Sequence, residues 1–222
     1  MDNEMKKMWE CGASGDVNML VAQMKKGIDV DFQNEEGRTI LMRAAKRDFK
    51  DIVRILVDAG ADVNKRDLNG KTAIMGAAKK GNKTIVKKLM EAGSDLNIQD
   101  VKGRTALMRA AFMGYDRVVR EMMKGDLMLD IKDEKGRTAL MEACLAYKQD
   151  VIDLLLLGKA NVNLADNNGC TALMRAAYAG YTGLVEQLLD YGADKTMEDE
   201  EGRRAMDYVR GECRSELEPL LK

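Results

Sequence analysis

A glycine that recurs at one fixed spacing constrains this chain more than any other feature of its sequence. Successive copies stand 33 residues apart with no insertion or deletion between them, at Gly37, Gly70, Gly103, Gly136, Gly169 and Gly202. The first five open variants of one phrase: GRTILMRAA, GKTAIMGAA, GRTALMRAA, GRTALMEAC and GCTALMRAA. A period of roughly 20 to 50 residues is typical of an array whose units stack and contact only their neighbours. We therefore expect a repeat architecture rather than one globular core.

The unit that begins at Gly70 indicates how each repeat should fold. The segment Asp67-Leu-Asn-Gly70 is a turn signal, since glycine reaches backbone conformations that cost other residues energy. Thr72 is a suitable N-cap for a first helix, which contains a pair of alanines and should end at Gly81. A second helix should run from about Thr84 to Glu91, because its apolar residues recur at helical spacing. Such a unit is too small to bury its own apolar stripe, so it must stack on its neighbours.

This unit resembles the ankyrin repeat. The family's repeat reads roughly D-x-x-G-x-T-P-L-H-x-A-A, then G-H-x-x-I-V-x-x-L-L, then G-A-D-V-N. Similar pieces stand here at Asp100 to Ala111, Gly114 to Met123 and Gly60 to Asn64. The resemblance implies an all-α repeat solenoid, in which helix-turn-helix units are joined by β-turn fingers.

The repeat boundaries follow from the glycine positions. We predict a single ankyrin-repeat domain over residues 1–222, with an N-terminal capping repeat at 1–36 and a C-terminal capping repeat at 202–222. About five full repeats lie between them, at 37–69, 70–102, 103–135, 136–168 and 169–201.

A methionine stands in each full repeat where the ankyrin family carries a histidine. The five positions are Met42, Met75, Met108, Met141 and Met174. A methionine column could serve soft-metal binding or adaptable recognition. We instead expect these flexible apolar side chains to fill the packed seam between repeats.

The chain contains no histidine, which removes the commonest general base and the commonest metal ligand. Its four cysteines, Cys11, Cys144, Cys170 and Cys213, are widely scattered and form no C-x-x-C motif. Cys144 replaces the second alanine of a pair and should be buried, whereas Cys170 should be more exposed. We predict a protein that is not an enzyme, holds no metal and uses no cofactor.

The charges are balanced, with 36 Lys and Arg against 37 Asp and Glu. No net field therefore favours nucleic acid or an anionic membrane. The N-terminus lacks the apolar run of a signal peptide, and the scattered cysteines favour reduced thiols. We expect a cytoplasmic location, no membrane span and a monomer.

By resemblance to the family, partners would bind in a concave groove made from the finger tips and the exposed side of each first helix. The residues expected there are Arg38, Arg43, Lys46, Arg47, Arg66, Lys71, Lys79, Lys80, Arg104, Arg109, Phe112, Met113, Arg137, Leu145 and Tyr178. The first half of this set is basic, and the second half is apolar and aromatic.

Two functions follow from this set. The first is a protein–protein interaction module or scaffold, whose partner is a segment with acidic residues toward one end and an apolar anchor toward the other. The alternative is nucleic-acid or anionic-lipid binding through the basic half. Overall neutrality and the lack of aromatic residues among the basic positions argue against the alternative.

Some positions depart from the repeat pattern. Tyr147 stands where other repeats have a helix-ending glycine, so its helix should end differently. Gly125 and Gly158 come one residue early, which predicts shifted ends for two second helices. In the first repeat we expect Trp9 to lie in the core and Val21 to face inward.

Overall fold

The computed structural model describes residues 3–222, which fold into paired α-helices with no named strand among them. The first helices of the repeats are α1 (Asn3–Ser14), α3 (Ile40–Arg47), α5 (Ala73–Lys80), α7 (Ala106–Met113), α9 (Ala139–Leu145) and α11 (Ala172–Ala179). The second helices are α2 (Val17–Lys25), α4 (Lys50–Asp58), α6 (Lys83–Glu91), α8 (Asp116–Met122), α10 (Gln149–Leu157) and α12 (Thr182–Asp190). Two short 3₁₀ helices, Ala205–Tyr208 and Gly211–Cys213, precede the last helix, α13 (Arg214–Leu221). The predicted all-α repeat solenoid is confirmed.

These helices fall into two compact bodies. The N-terminal body holds the residues up to Ala110 together with Arg117–Leu127, and the C-terminal body holds Ala111–Asp116 together with Met128–Lys222. In the N-terminal body α1 packs on α3 and α3 on α5, while α2 packs on α4 and α4 on α6. In the C-terminal body α9 packs on α11, α11 on the first 3₁₀ helix and α12 on α13. Within each body, the repeats thus bury their apolar stripes against neighbouring repeats.

Small residues and methionines form the seam between repeats. The alanine pairs are buried, and Cys144 and Cys11 are buried in the places that such alanines take. The five methionines of the repeats are also buried, as the sequence predicts. Two of them do more than fill space, because the Sδ atoms of Met42 and Met174 accept the backbone N–H of Thr39 and Thr171 at 3.5 and 3.4 Å. Sulfur is a weak acceptor, but here it satisfies an N–H at the start of the helix.

Threonine side chains cap most first helices. The exception among the full repeats is Thr72, the residue predicted to cap α5. The Oγ1 atoms of Thr39, Thr105 and Thr138 accept the backbone N–H three residues later, at 3.2, 3.2 and 3.3 Å. Thr72 makes no such bond, and its buried hydroxyl has no hydrogen-bond partner among the described residues. Its backbone φ is −106°, against −89° at Thr39 and −94° at Thr138, so the side chain starts from a different backbone direction.

The first-helix ends follow the left-handed residues. Asp48, Gly81 and Gly180 have φ of 63°, 76° and 75° and end their helices at equivalent positions. Tyr147 has φ of 47°, and α9 ends at Leu145, one residue earlier than its counterparts. The prediction that this helix ends differently is confirmed.

The second-helix ends agree with the prediction in only one of two cases. Helix α8 ends early, at Met122, as Gly125 predicts. Helix α10 ends at Leu157, which is equivalent to the last residues of α4 and α6, so the shift predicted from Gly158 is wrong. The reason is that Lys159 adopts the left-handed conformation there, with φ of 65°, in the place that glycine takes after α4 and α6.

Two expectations for the first repeat are wrong. Trp9 is half-buried rather than a core residue, and the guanidinium of Arg43 lies 4.6 Å from its ring centroid. Val21 is 36% exposed, because Leu20 and Gln23 fill the buried positions of α2. None of the helices within residues 3–222 has the length and apolar character needed to cross a bilayer.

Candidate functional site

The residues predicted to bind a partner divide between the two bodies. The basic surface, in the N-terminal body, consists of Arg38, Arg43, Lys46, Arg47, Arg66, Lys71, Lys79, Lys80, Arg104 and Arg109. The apolar surface, in the C-terminal body, consists of Phe112, Met113, Leu145 and Tyr178. Arg137 also lies in the C-terminal body.

A cavity of about 840 Å³ opens on the basic surface. Eight basic residues line it against only three acidic ones: Arg38, Arg43, Lys46, Arg47, Lys71, Lys79, Lys80 and Arg109 against Glu35, Glu36 and Asp67. Trp9 borders the cavity under the guanidinium of Arg43, which also donates to the Trp9 carbonyl at 3.0 Å. The lining is therefore strongly positive.

Four lysines carry most of the uncompensated charge. The ammonium groups of Lys46, Lys71, Lys79 and Lys80 make no hydrogen bond or ion pair with the residues that the structure describes. The pKa of Lys79 is lowered, by burial first and then by the positive charges of Arg109 and the other three lysines. Like charges that lower a lysine pKa indicate a concentrated positive potential.

Arg109 and Arg137, two of the predicted binding residues, are both held in internal ion pairs. Arg109 bonds Asp100, a carboxylate in the turn that precedes α7. Arg137 bonds Asp133 at 2.9 Å and Glu142 at 2.8 Å. Their guanidinium groups therefore hold the repeats in shape and are less available to a partner than the lysines.

The other arginines of the basic surface are partly engaged. Arg47 donates to the Ala13 carbonyl at 3.0 Å, and Arg66 donates to the Gln99 carbonyl at 2.8 Å. Arg38 pairs with Glu36. These contacts are exposed, so the same side chains remain open to solvent on one side.

The apolar surface repeats one helix position. Phe112, Leu145 and Tyr178 are 33 residues apart in sequence, and their exposed fractions are 43%, 48% and 52%. Met113, next to Phe112, is 40% exposed. The guanidinium of Arg210 lies 4.1 Å from the Tyr178 ring centroid, so one side of this ring is already covered.

Four contacts of aromatic rings were not predicted from the sequence, one of them between the Arg203 guanidinium and the Tyr208 ring at 4.9 Å. Arg210 belongs to the irregular C-terminal segment, where no repeat pattern predicts its direction. Tyr147 is 47% exposed, and its ring centroid lies 4.1 Å from that of Tyr181. The stacking of Arg43 on Trp9 was missed because the first repeat departs from the family pattern. The one signal in the sequence for any of these contacts is Tyr147, which stands where other repeats have a glycine.

The cysteines are free thiols. Cys144 is buried as predicted, and burial raises its pKa to about 12. Cys170 is half-buried, with its Sγ 3.1 Å from the Tyr208 hydroxyl, which in turn donates to Asp199 at 2.5 Å. Burial and the bond to Asp199 raise the pKa of Tyr208. Residues 3–222 bring no group of three metal-ligating side chains together.

Paired helices on a 33-residue period define a helical-repeat protein whose exposed first-helix positions vary from repeat to repeat. The family model described as ankyrin repeats (3 copies) matches residues 8–100, 60–133 and 107–199. The chain belongs to the ankyrin repeat family. No curated protein matches it in sequence.

Two solved structures are similar over nearly their whole length. One is the ankyrin repeat domain of Bcl-3, described as a unique member of the IkappaB protein family, with 25% identity, a TM-score of 0.84 and coverage of 96% of this chain and 97% of that one. The other is the human ASB11 ankyrin repeat domain, with 22% identity, a TM-score of 0.83 and coverage of 96% of each chain. Ankyrin repeat domains are generally protein–protein interaction modules, and the fold is typically non-catalytic.

Proposed function

We propose that this chain is a scaffold that binds a protein partner through the apolar surface and the basic surface. The observation that carries the proposal is the exposure of Phe112, Leu145 and Tyr178 at one repeated helix position. Large apolar side chains exposed together are unfavourable in water and usually mark a contact. Aromatic residues are also favoured as the anchors that supply most of an interface's binding energy.

The basic surface supports a partner with acidic residues. Its cavity has eight basic residues against three acidic ones, although the whole chain has 36 basic against 37 acidic residues. Such a local excess steers an oppositely charged partner during association. We therefore propose a partner segment that combines acidic residues with an apolar anchor.

A second candidate is nucleic-acid or anionic-lipid binding through the same basic surface. The four lysines that make no ion pair within the described residues favour it. Only Trp9 borders the cavity as an aromatic residue, and single-stranded nucleic acid is usually held by several stacking side chains. A salt titration with an arbitrary DNA duplex and with phosphatidylserine vesicles tests this candidate, because phosphate contacts give a steep loss of affinity with salt.

We further propose that the chain works as a monomer in the cytoplasm. Its four cysteines are all free, which suits a reducing compartment. Sedimentation of the purified chain tests the monomer, and imaging of the tagged chain in its source cells tests the location.

The experiment for the main proposal captures the partner with the intact chain from source cells and then measures binding kinetics with variants. Phe112→Ala or Tyr178→Ala should cost about 2 kcal/mol or more if either is an anchor, mainly through faster dissociation. Reversing Lys79 and Lys80 to glutamate should chiefly slow association and weaken its salt dependence.

Leu157→Ala is the matched control, because Leu157 is 68% exposed in α10, a second helix outside the apolar surface. It should leave both rates unchanged. If Leu157→Ala weakens binding while the changes at Phe112, Tyr178, Lys79 and Lys80 do not, the proposed surfaces are wrong.

A further inference from the structure

Helix α5 lacks a side chain that α7 and α11 use to pair the aspartate of the turn before the helix. In these two helices the residue before the alanine pair is Arg109 or Arg175, whose guanidinium bonds Asp100 or Asp166. In α5 this residue is Gly76, which lines the basic cavity. An arginine stands at this position in three other full repeats, as Arg43, Arg109 and Arg175, so the space for its side chain is open in α5.

Cationic groups surround the open place. Lys46, Lys71 and Lys79 line the same cavity, and none of these ammonium groups has an ion-pair partner among the described residues. Arg43 and Arg109 line it as well. A missing arginine would by itself make the cavity less positive, yet the cavity still has five more basic than acidic residues (eight against three).

An unpartnered hydroxyl lies at the same cavity. Thr72 is 3% exposed and lines the cavity, and its Oγ1 has no hydrogen-bond partner within the part of the chain that the structure describes. The threonines at the equivalent positions of the other full repeats all bond the backbone of their own helix. Buried polar groups in proteins are usually hydrogen-bonded, so the Thr72 hydroxyl is open to a hydrogen bond from a group outside the chain.

The buried acidic residue of the cavity lining, Asp67, already has hydrogen-bond partners. Asp67 is buried, and one of its oxygens accepts the backbone N–H groups of Asn69 and Lys71 at 2.9 Å each. Its other oxygen lies 3.7 Å from the Nε of Arg38. The Asp67 carboxylate therefore compensates little of the positive charge of the lysines.

We propose that this cavity, the Gly76 site, binds a phosphate group carried by a side chain of the protein partner, an inference that rests on the proposed function. A phosphate monoester carries about −1.5 to −2 charges at pH 7 and three strong acceptor oxygens. A carboxylate brings one charge and two oxygens, which would leave more of the lysines unpaired. Lysine ammonium groups suit phosphate because they act as compact, strongly hydrated point charges.

The first test titrates the intact chain with inorganic phosphate and, separately, with sodium acetate at matched ionic strength. Backbone amide shifts in the NMR spectrum report binding at each residue. Phosphate should shift the amides of α5 from Gly76 to Lys80 and saturate, whereas acetate should bind far more weakly.

Three variants locate the bound phosphate. Gly76→Arg restores the arginine of the other repeats, which should occupy the site and raise the phosphate Kd at least about tenfold through the loss of charge-assisted bonds. Gly76→Ala separates the effect of the guanidinium from that of any added side chain, because it adds only a Cβ, 3.4 Å from the Cβ of Lys46, and should raise the Kd far less than Gly76→Arg does. Lys87→Gln is the control: it removes a charge from α6, outside the cavity lining, and should leave the Kd unchanged.

The source of the phosphate is tested with three further probes on the intact chain. N-acetyl phosphoserine amide should bind at the Gly76 site, and phosphatase treatment of the captured partner should weaken its binding. An arbitrary DNA duplex and vesicles with phosphatidylserine should bind no more weakly to Gly76→Arg than to the unchanged chain.

Each other outcome overturns the inference. No saturable phosphate shift, equal binding of phosphate and acetate, or unchanged binding to Gly76→Arg would mean that the Gly76 site is not a phosphate site. Loss of DNA or vesicle binding in Gly76→Arg would assign the site to a nucleic acid or a membrane instead. A partner that binds equally well after phosphatase treatment would contradict this inference but leave the proposed function intact. Saturable phosphate binding without any protein partner would contradict the proposed function and, with it, the assignment of the phosphate to a partner side chain.

Discussion

Two glycines of the same repeat should respond in opposite ways to alanine. Gly76 lies inside α5 with an ordinary helical backbone, whereas Gly81 follows the helix with φ of 76°. Gly76→Ala should stabilise the chain, and Gly81→Ala should destabilise it. The pair is informative because both changes add the same methyl group at positions five residues apart.

The expected size of each effect comes from the backbone. Alanine is favoured over glycine inside a helix by about 0.8–1 kcal/mol. At Gly76 the added Cβ would lie 3.4 Å from the Lys46 Cβ, so no clash cancels this gain. At Gly81 an alanine must adopt the left-handed conformation, which costs roughly 1–2 kcal/mol.

Thermal unfolding followed by circular dichroism measures both effects. For a chain of this size, about 1 kcal/mol shifts the Tm by roughly 2–4 °C. Gly76→Ala should therefore raise the Tm by about that amount, and Gly81→Ala should lower it by at least as much. If both variants lower the Tm, the space at Gly76 is not what the structure describes. If neither changes it, the left-handed end of α5 carries no strain.

Three further predictions concern the packing, the buried ion pairs and the thiols. Ala110→Leu should cost about 1–3 kcal/mol by overpacking a residue that is fully buried, and an unchanged midpoint in urea would mean that the alanine is not at a packed seam. Burial raises the pKa of Asp133, but hydrogen bonds from the backbone and side chain of Arg137 outweigh it and lower the pKa below its ordinary value of 3.8. Asp133 should therefore stabilise the fold above that pH and lose this effect as the pH falls through its folded-state pKa. The difference in unfolding free energy between the unchanged chain and Asp133→Asn should then shrink in acid. A difference that grows in acid would contradict the lowered pKa. Burial raises the pKa of Cys11 to about 11 and that of Cys144 to about 12, so neither should react with a thiol reagent at pH 8 until the chain unfolds, as mass spectrometry of labelled peptides can check.

The sequence predicted the framework well because the repeat pattern is local. The turn glycines, the alanine pairs and the apolar spacing of the second helices each act within one repeat or between neighbours. The left-handed conformation of Lys159 was not predictable in this way. The sequence has a glycine one residue earlier, Gly158, but α10 extends to Leu157 and the left-handed residue is Lys159. Trp9 also escaped prediction, since its stacking depends on a side chain of the next repeat, Arg43.

The exposure of the candidate surfaces could be predicted from the sequence, but the internal bonds of their side chains could not. The exposure of Phe112 and Tyr178 follows from their place in the repeat. The ion pair of Arg109 with Asp100 does not follow from the repeat pattern. It depends on the conformation of a long side chain that reaches back to the turn before its helix. The open place at Gly76 appears only after that pairing is known, since a glycine in a helix gives no sign of what the neighbouring repeats place beside it.

Site-specific photo-crosslinking tests the central claim, that partners bind the first-helix surfaces, most directly. A photoreactive amino acid is placed at Lys79 or Tyr178, and in control chains at Lys87 or Leu157, which lie in second helices. Each intact chain is irradiated in extracts of the source cells, and the adducts are identified by mass spectrometry. We expect the same crosslinked protein from Lys79 and Tyr178 and none from Lys87 and Leu157. Adducts that form only from Lys87 or Leu157 would contradict it.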